Sequence, residues 1–146
     1  RNIHAGIGAE DTGNVIRIAD TGSAGLSSLR IAGKYDEIEV PVKTLDAIVS
    51  EHGIEPRFIK VDIEGCALEF LKGAKSTLRK FRPVLSIAIY HNPGEFFEAR
   101  SLLEDTVKDY TFMIRKLSCG IENNQCHSEV VLLALPLEVL PPNETA

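Results

Sequence analysis

Residues 58–65, Phe-Ile-Lys-Val-Asp-Ile-Glu-Gly, place Lys60, Asp62 and Glu64 at every second position of an otherwise apolar run. In an extended strand three such side chains share one face. Burying a charge without a partner is costly, so they must pair among themselves, sit at the open carboxyl end of a strand, or meet a ligand. A Lys60–Asp62 ion pair, with Glu64 favouring the N-terminus of a following helix, is the purely structural account. The next apolar run ends in Tyr90-His91-Asn92-Pro93-Gly94. An imidazole beside carboxylates makes a general base that can take a proton from a hydroxyl near neutral pH. For His91 the structural account is a turn residue capping local backbone. Two carboxylates and a histidine also suit a divalent cation, but no third spaced ligand accompanies them, and no metal is expected.

These residues need elements to bring them together. Phe58 to Ile63 reads as a buried strand, and Cys66 to Phe81 as a helix with Leu68, Leu71, Ala74 and Leu78 at helical spacing opposite Glu69, Lys72, Lys75 and Arg79. Arg82-Pro83 ends that helix. Val84 to Tyr90 is apolar without alternation, as expected of a parallel strand covered on both faces. A helix from about Glu95 to Lys108 completes a second β-α pair. If the two strands are neighbours, as short right-handed crossovers favour, Asp62, Glu64, Tyr90 and His91 meet at one carboxyl rim, where open α/β sheets bind ligands. Tyr110 to Lys116 and Glu129 to Leu135, joined by the polar stretch Ser118 to Ser128, read as a closing antiparallel hairpin.

Upstream, Asn14 to Ala19 and Glu37 to Val42 read as short strands around a Gly- and Ser-rich loop, Asp20 to Ser28. Thr44 is an N-cap for a short helix with Asp46 in its first turn, Leu45, Ile48 and Val49 on one face, and Gly53 just past its end. The sequence therefore predicts an α/β sheet, mainly parallel with an antiparallel edge.

Other motifs carry less. Gly6-Ile7-Gly8 lacks the third glycine of a dinucleotide loop, because Asp11 stands in its place, and no amphipathic helix follows. Cys119, Cys126 and His127 lack a second ligand pair for zinc, so a hairpin thiol pair is the simpler expectation. His4 and His52 read as surface residues. Asn143-Glu144-Thr145 matches a glycosylation acceptor pattern, with nothing else to argue for secretion.

The 146 residues are 44% hydrophobic and 25% charged, as in one soluble globular domain. Sixteen basic against 21 acidic residues give a net charge of -5, with no basic footprint for nucleic acid. No apolar run approaches the roughly 20 residues needed to span a bilayer. Three cysteines make no disulfide scaffold, so a reducing, cytoplasmic setting is expected. The chain opens on Arg1 with a patterned segment following at once, as expected of a processed or truncated protein.

The segments Val42-Lys43-Thr44-Leu45-Asp46, Phe58 to Gly65, Leu71-Lys72-Gly73-Ala74, Arg82 to His91 and Glu129-Val130-Val131-Leu132 together resemble the FkbM-type S-adenosylmethionine-dependent methyltransferases, in order and spacing from about Asn14 to Leu135. The resemblance implies a Rossmann-like class I methyltransferase fold and methyl transfer from S-adenosylmethionine. The commonly implied acceptor is a hydroxyl on a sugar or other small natural product. The family's opening strand, glycine-rich cofactor loop and ribose-binding acidic residue have no counterpart before Asn2, so residues 1–140 are expected to form a partial domain lacking the amino-terminal glycine-loop strand, with 141–146 as a tail. Without that strand, the strand ending near Asp62 would keep an unpaired edge. Lys116-Leu117 stand where the family often carries histidines. On this reading Asp62 and His91 are the base or orienting pair, Glu64 and Tyr90 shape the acceptor pocket, and no cofactor-binding residue is assigned. The competing expectation is a non-catalytic fragment or binding module derived from such an enzyme. A nicotinamide-dependent oxidoreductase would need the same absent loop.

Overall fold

The computed structural model describes residues 2–3, 5–11, 13, 15–19, 37–122 and 125–140. His4, the loop Asp20 to Ser28 and the tail with Asn143 lie outside the described residues, as do the side chains of Cys119, Cys126 and His127. The elements are β1 (Gly6–Ile7), β2 (Val15–Ala19), β3 (Glu37–Lys43), α1 (Leu45–His52), β4 (Phe58–Val61), α2 (Ala67–Lys72), α3 (Lys75–Phe81), β5 (Val84–Ala88), α4 (Pro93–Thr106), β6 (Tyr110–Glu122) and β7 (Gln125–Pro136), followed by a 3-10 turn at Leu137–Val139. Among the described residues no helix is long and apolar enough to cross a membrane.

The strands form two sheets, β1-β3-β2 and β4-β5-β7-β6. β4 and β5 run parallel with Val61 opposite Ile87, while β5–β7 and β6–β7 are antiparallel. The architecture is the expected α/β one, a mixed sheet with a parallel β4–β5 pair and an antiparallel closing hairpin. β5 is interior and its Leu85 and Ile87 are fully buried. They join Val61, Phe70, Leu71, Leu78, Leu103 and Leu132 in a single apolar cluster. Each such side chain contributes about 1.5–3 kcal/mol relative to staying in water. Helix α4 buries Glu95, Ala99, Leu103 and Thr106, one stripe at helical spacing.

Several local expectations hold. Thr44 caps α1 by accepting from the Ala47 N–H at 3.1 Å, and Gly53 ends that helix at φ 60°. Gly6 and Ile7 form a strand beside Val42 and Lys43, and a Cβ at Gly8 would strike the Val42 side chain. Gly8 thus serves close packing.

Three expectations are corrected. The helix over 66–81 is two helices, because the chain breaks at Gly73-Ala74. There Gly73 lies against the Gly8 carbonyl and the Thr44 side chain, and its own carbonyl accepts from Asp46 N–H at 3.0 Å. β4 is the outer strand of its sheet, in line with the unpaired edge expected for the strand ending near Asp62, but Phe58 is 60% exposed where the apolar run predicts burial. The hairpin strands also run through most of the polar stretch 118–128, since two antiparallel partners satisfy each other's backbone groups whatever their side chains. Beyond Val130, whose carbonyl accepts from Ile89 N–H, this two-stranded arm continues past the end of β5.

Candidate functional site

The parallel pairing of β4 with β5 places both carboxyl ends side by side. Strand β4 stops at Val61, so Asp62 is the first residue past the sheet. The chain then turns sharply, with Glu64 at φ 51° and Gly65 at φ 96°, both in the left-handed region. A non-glycine residue held there stores local strain, a feature concentrated at functional sites. On the neighbouring strand, Tyr90 and His91 come one residue after the end of β5 and precede Asn92, the N-cap of α4. Asn92 ties the two loops together: its Oδ1 accepts from Glu95 N–H at 3.0 Å and its side-chain amide donates to the Gly65 carbonyl at 3.2 Å.

All four residues expected at this rim are brought together. His91 has a side chain only 6% exposed, with Nε2 at 3.5 Å from Asp62 Oδ1 and 3.9 Å from Glu64 Oε2. Tyr90 lies against the imidazole, ring centroids 4.2 Å apart, and its hydroxyl donates to Asp62 Oδ1 at 3.5 Å. Burial, then the charges of Asp62, Glu129 and Glu64, push the Tyr90 phenol above its usual range, so it stays protonated and remains a donor. Glu129 comes from the closing hairpin, which brings the arm's charge to bear on the rim. The structural account for Lys60 also holds, in an exposed pair with Asp62 at 3.4 Å. This leaves Asp62 Oδ1 to Tyr90 and His91.

Glu95 is the residue that sequence reasoning missed. It is 1% exposed, its Oε1 accepts from Ala67 N–H at 2.8 Å at the start of α2, and its Oε2 lies 3.5 Å from His91 Nδ1. The signal was present: Asn92 and Glu95 have capping-box spacing, and Glu95 is four residues after His91. In a local capping box the Glu carboxylate returns to its own N-cap N–H, whereas here it caps a different helix. His91 Nδ1, His91 Nε2 and Glu95 Oε2 are buried without closing a hydrogen bond of ordinary geometry among the described residues. Buried polar atoms left in that state call for a functional explanation. Among the described residues no group of three or more His, Cys, Asp or Glu is arranged to hold a metal ion.

The sequence model of the methyltransferase FkbM domain matches residues 2–122. The chain belongs to this family. A crystal structure of a methyltransferase FkbM from Methylobacillus flagellatus KT is similar in fold, with a TM-score of 0.56 and 24% sequence identity over 88% of this chain. The present chain spans 27% of the length of that solved relative. No curated protein matches the chain. Within this FkbM domain the rim residues come from the two strand ends and two loops quoted above for the resemblance, and Glu95 lies one turn beyond them.

Proposed function

We propose that this FkbM domain serves S-adenosylmethionine-dependent methylation of a hydroxyl on a sugar or another small natural product. The observation that carries the reading is the buried His91, whose Nε2 faces the Asp62 and Glu64 carboxylates at the carboxyl ends of two adjacent parallel strands. S-adenosylmethionine, when bound, supplies an electrophilic methyl group on a cationic sulfur. The half-exposed carboxylates of Asp62 and Glu64 suit that positive charge, while no described residue is assigned to the adenosine portion.

In this reading His91 and Asp62, 3.5 Å apart, act as the base or orienting pair that takes the proton of the acceptor hydroxyl. Tyr90 holds Asp62 in place through its hydroxyl and, with Glu64, lines the acceptor side of the rim. Burial of His91 excludes water from the face that must take the proton. The protein's main contribution is to hold two reactants in order.

The test has two stages. Titration calorimetry of S-adenosylhomocysteine into the folded chain, checked by circular dichroism, comes first; saturable binding would mean that the residues present rebuild the cofactor site. Methyl transfer to a panel of hydroxylated acceptors is then expected to fall more than about tenfold in Asp62→Asn and in His91→Ala, with unchanged folding. Turnover unaltered in both variants would remove Asp62 and His91 from the mechanism. A folded chain that binds no S-adenosylhomocysteine would mean that the cofactor site needs residues beyond this chain, and the function would then be tested on a longer one.

A further inference from the structure

We infer that the rim holds an organic ammonium group between Glu64 and Glu129, against the ring of Tyr90, so that the acceptor is an amino sugar or a comparable hydroxylated amine; the inference deepens the proposed methyl transfer to a hydroxyl and rests on that reading. Strands β5 and β7 pair with Ala88 opposite Val131, and the Ile89 N–H donates to the Val130 carbonyl at 3.0 Å. One step further along that antiparallel register, Glu129 stands opposite Tyr90. Glu64 reaches the same place from the loop after β4, with Oε2 at 3.9 Å from His91 Nε2. Tyr90 lies against that imidazole and is 40% exposed. Of the three carboxylates at the rim, Asp62 has Lys60 at 3.4 Å, while neither Glu64 nor Glu129 pairs with a lysine or arginine among the described residues. His91, with its side chain 6% exposed, directs an unpartnered Nε2 into this group. A buried polar atom without a partner requires an explanation, and a ligand seated on the carboxylates supplies one.

The chemistry favours a cation. Exposed carboxylates are charged at neutral pH and only accept hydrogen bonds, so an ammonium, with three donors and no acceptor, matches two of them. The face of a phenol ring attracts a cation as well. After burial, what raises the Tyr90 phenol most is the charge of Asp62, Glu129 and Glu64, so the potential at the ring is negative. Three carboxylates against Lys60 leave two negative charges in excess, which match the sulfonium of the methyl donor and one ammonium. A phosphate or carboxylate on the acceptor would meet like charges instead, and that repulsion selects against it. Water alone solvates an isolated surface glutamate. Here two of them converge, one from a loop and one from a hairpin strand, on a single aromatic ring beside a buried histidine.

NMR titration of the folded chain, following the Tyr90 and His91 side-chain signals assigned with Tyr90→Phe and His91→Ala, reads binding without any methyl donor. Glucosamine, glucose and glucuronate are the probes, one kind of ring carrying a positive charge, none and a negative charge, at a pH where the amine is protonated and the carboxylates are ionised. Glucosamine is expected to saturate with an affinity at least about tenfold above that of glucose, the scale of one hydrogen bond to a charged group, and glucuronate is expected not to saturate. In the double variant Glu64→Gln, Glu129→Gln, checked for folding by circular dichroism, the preference for glucosamine over glucose should fall below about twofold, since neutral amides leave no ion pair to favour the amine. Added salt should weaken the binding of glucosamine and leave that of glucose unchanged.

Glucosamine that binds no tighter than glucose, or not at all, would overturn the inference. So would glucuronate binding as tight as glucosamine, or a preference unchanged in the folded double variant. Glucosamine binding by a chain that transfers no methyl group would keep the ammonium seat and remove the enzymatic reading; methyl transfer to neutral acceptors without glucosamine binding would do the reverse.

Discussion

The carboxylate of Asp46, in the first turn of α1, accepts hydrogen bonds from the backbone N–H groups of Ser76 at 2.9 Å and Thr77 at 2.7 Å, capping the start of α3 thirty residues away. α3 has no cap of its own, because Ala74 precedes it. Burial alone would raise the Asp46 carboxyl, but the hydrogen bonds from Thr77 and Ser76 outweigh it and hold the group below its ordinary value of 3.8. The stability it contributes is therefore complete above that value and is lost as pH falls through the lower, folded value. Asp46→Ala is expected to cost about 1 kcal/mol in urea unfolding at neutral pH, the usual scale for a lost cap. The gap between wild type and variant should shrink below about pH 4.

Gly73→Ala tests the break between α2 and α3. At a helix end, alanine in place of glycine ordinarily stabilises by limiting the unfolded chain. Here the added methyl would meet the Gly8 carbonyl and the Thr44 side chain. Displacing β1 from α2 should cost about 1–3 kcal/mol, as overpacking does elsewhere. A thermal midpoint equal to or above that of the wild type would show that the contacts with Gly8 and Thr44 give way to a methyl group.

Tyr110, at the start of β6, donates to the Pro83 carbonyl at 2.9 Å beneath the guanidinium of Arg82. Burial pushes its phenol up to about 12, although the nearby Arg82 charge works the other way. A group raised in the folded state stabilises below its unfolded value of 10.0, and that stability is lost as pH rises toward 12. Tyr110→Phe is expected to cost about 1 kcal/mol at neutral pH, from the lost hydrogen bond. The variant should also show a shallower decline in stability above pH 10, measured by denaturant unfolding.

Arg82 joins the start of β5 to the end of the chain. It pairs with Glu138 at 2.6 Å and donates to the carbonyls of Lys108 and Asp109. The Arg82 hydrogen bond lowers the Glu138 carboxyl to about 2, so the pair persists under acid until pH falls from 4.5 toward that value. Glu138→Gln should leave most of the stability in place and make it less sensitive to salt. Arg82→Ala should cost more, about 1–2 kcal/mol, because two carbonyls lose a charged donor. Equal losses in the two variants, measured by urea unfolding, would reduce Arg82 to its ion pair.

Much of this molecule was legible from residue order alone, for reasons that act over a few residues. Thr44 and Gly53 bracket α1 because a side-chain oxygen and a left-handed cap are local requirements of any helix. Val84 to Ala88 reads as an interior strand because its apolar run has no polar face. Asp62, Glu64, Tyr90 and His91 stand out because charged and polar groups at the ends of apolar runs need a reason to be there, and parallel pairing of β4 and β5 gathers them.

Other features depend on what approaches from elsewhere in the chain, and no local pattern encodes that. The helix over 66–81 breaks at Gly73, where Gly8 and Thr44 approach too closely for a side chain. β4 is exposed because it is the outer strand of its sheet, not because its residues are polar. Asn92 and Glu95 carry the spacing of a local cap, yet the buried Glu95 carboxylate accepts from the Ala67 N–H of α2 and lies 3.5 Å from His91 Nδ1. Residue type and spacing thus determined which groups have chemistry to offer. Tertiary packing decided which of their atoms face one another, because hydrogen-bond partners separated by 27 to 31 residues are chosen by space and not by sequence distance.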